Sequence, residues 1–269
     1  FGQDLRITEG EPYCQVRPFD FAADFEPRHL TKPLPAPAGE VIDIRTFGAD
    51  PAAEDNAVAV QQAVDAAAKV GGTVLVDGGS YPMSTVELRS GVTLFITPGS
   101  FLAARPDGKG FRHKALLYGR DLTNVTLTGG GGLEGEGHRF GLRPALPQNC
   151  TKPANVIDVI EMRRTYRAQL RFAHPSKYGG LLSLERCHGV HIHHFLFQNS
   201  AHWTCRLQMC RDARIEYAAI RNNRNVANAD GFDIVGGQDL IFRHCMVSTA
   251  DDGFVFKHAV WLGSSGEMR

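Results

Sequence analysis

The sequence predicts an all-β fold, a right-handed parallel β-helix (a solenoid of stacked coils) with an N-terminal capping α-helix. Three observations predict it. Degenerate copies of one strand unit recur at offsets of 22 to 27 residues; strand-like pieces bounded by Gly, Asn, Asp or Pro fill most of the chain after Gly72; and a single segment ahead of them carries helical periodicity.

Taken in chain order, residues 1–40 are mixed in character and end in Lys32-Pro33-Leu34-Pro35-Ala36-Pro37, an extension or strap before the β-helix domain of residues 41–269. Val41 to Arg45 reads as a short strand. From Asn56 to Lys69, Val60, Ala63, Val64 and Ala67 recur at helical spacing, with Asp55 as N-cap and Gly71-Gly72 as the stop. Thr73 to Val76, Val92 to Ile96 and Val125 to Leu127 follow as strands, and His138 to Gly180 as a long loop.

The repeat is clearest where Cys187 to Asn199 is laid over Cys210 to Asn222 at an offset of 23. Val190 then falls on Ala213, Ile192 on Ile215, Phe195 on Ala218 and Phe197 on Ile220. Leu240, Phe242, Cys245 and Val247 form a third copy at an offset of 27. A unit this short cannot bury a face alone, so its copies must stack, each coil adding a layer about 4.8 Å from the last. Period-2 strands alone would also suit a jelly roll or sandwich; the repeat favours the solenoid. The helix then covers the open end of the sheet.

Composition limits function as well. A chain of 269 residues with 43% apolar content buries a full core, and 29 basic residues balance 29 acidic ones. The totals therefore point to no nucleic acid and no anionic membrane, and any charged substrate must be met locally. No unbroken apolar run is long enough for a membrane span, and Phe1 to Gly10 lacks a signal-peptide pattern. The six cysteines show no CxxC spacing and form no dense disulfide framework, which leaves the redox compartment open.

Chemistry concentrates late in the chain. Asp230-Gly231-Phe232-Asp233-Ile234-Val235 lies over Asp252-Gly253-Phe254-Val255-Phe256-Lys257 at an offset of 22, so the two Asp-Gly-Phe steps are one corner of consecutive coils. Alternation points Phe232, Ile234, Phe254 and Phe256 inward and Asp233, Val255 and Lys257 outward. An aspartate before glycine is commonly a turn residue bonding its own backbone. Here Asp251 and Asp252 would lie one layer from Asp230, so three carboxylates gather within roughly 5 to 10 Å, and such crowding raises at least one pKa. A protonated carboxyl beside ionised ones suits an inverting glycosidase, with an acid and a base roughly 6.5 to 9.5 Å apart. Clustered acids could instead hold calcium in a polysaccharide lyase, and a non-catalytic glycan-binding β-helix stands as a third reading.

From Val41 to Lys257 the sequence resembles glycoside hydrolase family 28, the polygalacturonase-like pectin hydrolases. The resemblance is carried by Phe47-Gly48-Ala49-Asp50, Gly71-Gly72-Thr73-Val74, Leu88 to Leu94, Gly132-Leu133-Glu134-Gly135-Glu136-Gly137 and Asn199-Ser200-Ala201-His202-Trp203-Thr204. Most specific are Asn228-Ala229-Asp230-Gly231 and the Asp251-Asp252 pair. It implies inverting hydrolysis of α-linked galacturonate in a pectic polysaccharide or oligosaccharide, by a secreted or periplasmic enzyme that needs no metal or cofactor. Asp251 is then the general acid, Asp230 and Asp252 activate water, and Asn228 lies beside the substrate. Ala229 and Ala201 depart from the family's usual Thr and Pro. The family's Gly-His-Gly and Arg-Ile-Lys motifs would follow the acid pair, so the chain is expected to continue beyond Arg269.

Asp233 and Lys257 are expected to line the substrate groove, Lys257 either holding a substrate carboxylate as a point charge or pairing with Asp233. His191 and His193 share a strand face and invite a zinc reading. No third ligand is evident, so His188, His191, His193, His194 and His202 are expected to face solvent. Cys187 and Cys210 are expected to stack as small apolar positions. Gly129 to Gly132 is no phosphate loop, since neither Lys-Ser/Thr nor a helix follows.

Overall fold

A computed structural model describes residues 34–137, 179–223, 226 and 228–257. Most of the predicted N-terminal extension, nearly all of the loop predicted over 138–180, Cys14, Cys150 and everything after Lys257 lie outside the described residues.

The strands form one parallel sheet wound into a right-handed β-helix with three faces. On the first face β1 (Val41–Asp43), β2 (Thr73–Val76), β5 (Thr93–Ile96) and β8 (Thr123–Thr128) pair in succession. The second carries β3 (Ser80–Met83), β6 (Phe101–Ala104) and β9 (Gly132–Glu134), and the third β4 (Val86–Glu87), β7 (Ala115–Arg120) and β10 (Gly180–Glu185). Further along, the strands become long enough to turn corners. They are β11 (His188–Gln198), β12 (Cys205–Arg221) and β13 (Phe232–Arg243), followed by β14 (Met246–Ser248) and β15 (Phe254–Lys257). The first half of β11 pairs β8 and its end pairs β9; β12 alone visits all three faces.

The sequence repeats are the observed register. Val190 pairs Ala213, Ile192 pairs Ile215, Phe195 pairs Ala218 and Phe197 pairs Ile220. In the next coil Ala213 pairs Leu240, Ile215 pairs Phe242 and Ile220 pairs Val247, and Phe232 pairs Phe254 in the last. Inward residues make the core: Leu94, Leu127, Ile192 and Ile215 rise on the first face, and Leu117, Leu182, Leu207 and Ile234 on the third. Cys187 and Cys210 are buried among them as free thiols.

The helix α1 (Ala57–Val70) packs against β1, β2 and β4, with Ala59, Val60, Ala63, Val64 and Ala67 in the core. Gly71 ends it in the left-handed conformation, its N–H reaching the Ala67 carbonyl. Its first turn differs from expectation. Asn56 holds the N-cap position, but its side chain is spent on Asp50 and the Pro82 carbonyl, while Asp55 Oδ1 accepts from the Ala57 and Ser84 N–H groups at 2.9 Å each. The first strand is shorter than expected too. Asp43 accepts the Arg45 N–H and turns Ile44–Phe47 into a short 3-10 helix.

The expected exposure of the histidines fails at His194, which is buried. It stands at the corner between the first and second faces with φ 49°, as do Tyr217 and His244 one and two coils on, and left-handed backbone there breaks strand parity. The three rings stack, His194 on Tyr217 at 4.9 Å and Tyr217 on His244 at 4.8 Å. His191 and His193 do share a face, their rings 4.3 Å apart, and His193 Nδ1 lies 3.1 Å from Thr128 Oγ1.

Candidate active site

Each coil leaves the second face and enters the third through a turn, and the predicted acids occupy two neighbouring turns: Asp230 just before β13, Asp251 and Asp252 just before β15. Backbone bonds stack these turns. The Gly231 N–H donates to the Asp252 carbonyl (2.8 Å), the Phe232 N–H to Gly253 (2.9 Å), and the Thr204 N–H to Asp230 (3.1 Å). Gly231 permits the approach, because a Cβ there would fall 2.2 Å from the Gly253 carbonyl oxygen. Asn222 ties the turn below into the stack: its Nδ2 donates to Thr204 Oγ1 (2.6 Å) and the Ala229 carbonyl (3.2 Å), while its Oδ1 accepts the Ser200 N–H (3.0 Å).

Asp230 is 5% exposed, and its Oδ1 is buried with no hydrogen-bond partner. Burial first, then the charges of Asp233, Asp251 and Asp252, push its carboxyl up to about 7 against the opposing pull of Lys257. The expected crowding thus falls on Asp230. Asp251 and Asp252 are exposed at the mouth, as is Asn228, which holds φ 57° two residues before Asp230.

Asp233 points away from the core as predicted, yet it is fully buried rather than solvent-facing, because Lys257 on the paired strand closes over it. Lys257 Nζ donates to Asp233 Oδ1 and lies 3.5 Å from the centroid of the Trp203 ring, a close cation–π contact. Burial nevertheless holds the Asp233 carboxyl above its usual range, with Lys257 and Arg206 opposing.

Several residues of this region were not assigned roles from sequence. Trp203 lies against Lys257 and Asn222 holds the turn of Asp230; Ser183 and Arg206 extend the polar row of Asp233 down the third face. Glu134 is 8% exposed at the end of β9, accepting from the Glu136 N–H (2.9 Å) and Asn199 Nδ2 (3.1 Å), and burial pushes its carboxyl up to about 7. Motif position alone signalled Glu134 and Trp203, and strand alternation alone Ser183 and Arg206. Among the described residues no group of three or more His, Cys, Asp or Glu is placed to hold a metal ion, and no helix is long and apolar enough to cross a membrane.

No protein-family model matches the sequence, and none of the curated proteins does. Solved structures do match. A family 28 exopolygalacturonase of Yersinia enterocolitica superposes with a TM-score of 0.64 at 19% identity over 81% of this chain and 45% of its own. A polygalacturonase of Erwinia carotovora gives 0.63 at 17% over 84% and 60%, and an endo-xylogalacturonan hydrolase of Aspergillus tubingensis 0.57 at 17% over 80% and 53%. The chain thus spans about half the length of these three enzymes. The resemblance read from the sequence is met in three dimensions, and what this chain shares with the family 28 polygalacturonase is its fold, the right-handed parallel β-helix.

Proposed function

We propose that the protein is a glycoside hydrolase that cleaves α-linked galacturonate in a pectic polysaccharide or oligosaccharide with inversion at the anomeric carbon. The observation that carries this reading is the acid cluster: Asp230 is buried beside Asp233, Asp251 and Asp252, and burial and like charge raise its carboxyl to about 7. Asp230 therefore keeps a proton near neutral pH beside carboxylates that can take it up. Hydrolysis needs one protonated carboxyl and one ionised one.

Asp251, exposed at the mouth, passes the proton it takes from Asp230 to the leaving oxygen, while Asp252 and the Asp230 carboxylate so formed orient and deprotonate the attacking water. Asn228 lies beside the sugar. Lys257, anchored by Asp233, offers its remaining N–H donors to a substrate oxygen. The solved structures of similar fold include enzymes whose names specify polygalacturonate or xylogalacturonan, which supports a pectic substrate. A polymer of this kind is met outside the cytoplasm, so the same reading makes the protein secreted or periplasmic, and finding it in the cytoplasmic fraction of its native cell would contradict that.

Product analysis tests the reading. Incubated with oligogalacturonate, the protein is expected to release reducing ends without an ultraviolet-absorbing unsaturated product, and proton spectra of the first turnovers should show the inverted anomer. An unsaturated product would make it a lyase, and bound sugar with no cleavage a glycan-binding protein.

A further inference from the structure

Arg206 lies one coil below Asp233, paired with it across β12 and β13, and Ser183 lies one coil below Arg206 across β10 and β12. Cys205 and Leu207 on either side of Arg206 are core residues, so Arg206 projects to the outer side of the third face with Asp233. The three neighbours share a property that is rare in folded proteins. Ser183 Oγ, Arg206 Nε and Asp233 Oδ2 are all buried without a hydrogen-bond partner, the last two on side chains that are otherwise held in place. Adjacent strands are about 4.8 Å apart, so these atoms make a row spanning roughly 10 Å that starts at the acid cluster.

The guanidinium is oriented rather than free. Its Nη2 donates to Gln208 Oε1 and lies 3.8 Å from Glu185 Oε1. Glu185 is already answered by Arg120, whose Nη2 and Nε reach it at 2.6 and 2.8 Å, and by the Tyr118 hydroxyl at 3.2 Å. Asp233 is answered by Lys257. What Arg206 leaves unspent is its Nε–H donor. Leaving a cationic donor buried and unmatched is costly, and a planar carboxylate is the acceptor a guanidinium edge fits best.

We propose that Arg206, supported by Ser183, is the specificity-determining residue of the groove and binds the carboxylate of a uronate unit seated one coil from the acids on the N-terminal side. This deepens the hydrolase reading and rests on it for the identity of the glycan. It also assigns the carboxylate to a residue other than Lys257, which is partly spent on Asp233 and Trp203.

The test is binding without turnover. The natural protein at full length, carrying Asp251→Asn, is titrated calorimetrically with oligogalacturonate and with its methyl ester, beside the same protein with Arg206→Gln, Arg206→Lys or Ser183→Ala added. Arg206→Gln is expected to weaken binding of the acid oligomer about ten- to hundredfold, the loss of a charge-assisted hydrogen bond, and to leave the already weaker binding of the ester unchanged. Arg206→Lys keeps the charge without the fork and should recover part of the affinity. If Arg206→Gln does not fold, the Lys and Ser183→Ala variants carry the comparison, each expected to lose affinity for the acid oligomer only.

Equal affinity with and without Arg206, equal loss on acid and ester, no binding of the acid oligomer, or binding of a sulfated galactan oligomer in its place would each overturn the proposal. Failure of the hydrolase reading looks different. A protein with Asp251 intact that binds oligogalacturonate through Arg206 but releases no reducing ends keeps this inference and loses that reading, whereas hydrolysis with unchanged KM in Arg206→Gln does the reverse.

Discussion

At the scale of single residues two buried carboxyls, Glu134 and Asp230, are pushed well above their ordinary range. Glu134, close to 7 in the folded protein, titrates near the ordinary glutamate value when unfolded. Its contribution to stability is therefore fully present below that ordinary value and is lost as the pH rises through about 7, amounting to ~3 kcal/mol in all. Glu134→Gln should flatten this part of the pH dependence of the denaturation midpoint; an unchanged slope would mean that the carboxyl is not held protonated. Asp230 couples instead to activity. With its carboxyl at about 7, activity should fall as Asp230 loses its proton above that pH, and Asp233→Asn, which removes the charge that ranks next after burial in raising Asp230, should move the alkaline limb to lower pH. A limb that stays in place would separate Asp233 from the cluster. The acids were legible in sequence because adjacent coils bring the same corner together. The burial of Asp233 was not, since alternation tells inward from outward but says nothing of what lies across the strand pair, here Lys257.

At the scale of the element, the stacked turns depend on backbone closeness at Gly231. Gly231→Ala would set a methyl against the Gly253 carbonyl, at a cost of about 1 to 3 kcal/mol in chemical denaturation. Phe195, fully buried and in edge contact with Phe197 at 5.1 Å, should cost about 3 to 5 kcal/mol on change to Ala. Losses under 1 kcal/mol at either position would contradict the packing described. Offsets of 23, 27 and 22 read from apolar positions became the strand register because a parallel coil permits only one face inward. Corners were less legible. His194, Tyr217 and His244 take left-handed backbone there, and no pattern of apolar residues announces a reversal of parity at a histidine. Arg206 and Ser183 went unassigned for a related reason: outward polar residues are ordinary on a strand, and only their unmatched buried atoms set them apart.

At the scale of the whole molecule, each coil touches only its neighbours, so protection should grade along the stack. Amide exchange is expected to be slowest in β11 and β12, each paired on both sides, and faster in β1 and β15; uniform protection would argue for a single cooperative unit. The grading matters at the acid cluster, which belongs to the last described coils. Phe254 stacks on Phe232 and meets Phe242 edge to face but remains 42% exposed, and Phe256 76%. These two inward positions meet no further coil among the described residues. The central claim is that the carboxylates held at this end cleave a glycosidic bond. Reducing-end release from polygalacturonate by the natural protein at full length, beside the same protein carrying Asp251→Asn, tests it most directly: the account predicts release by the first and its near-complete loss in the second, whereas equal release by both would contradict the assignment of the acid and no release by either would contradict the reading of a pectin hydrolase.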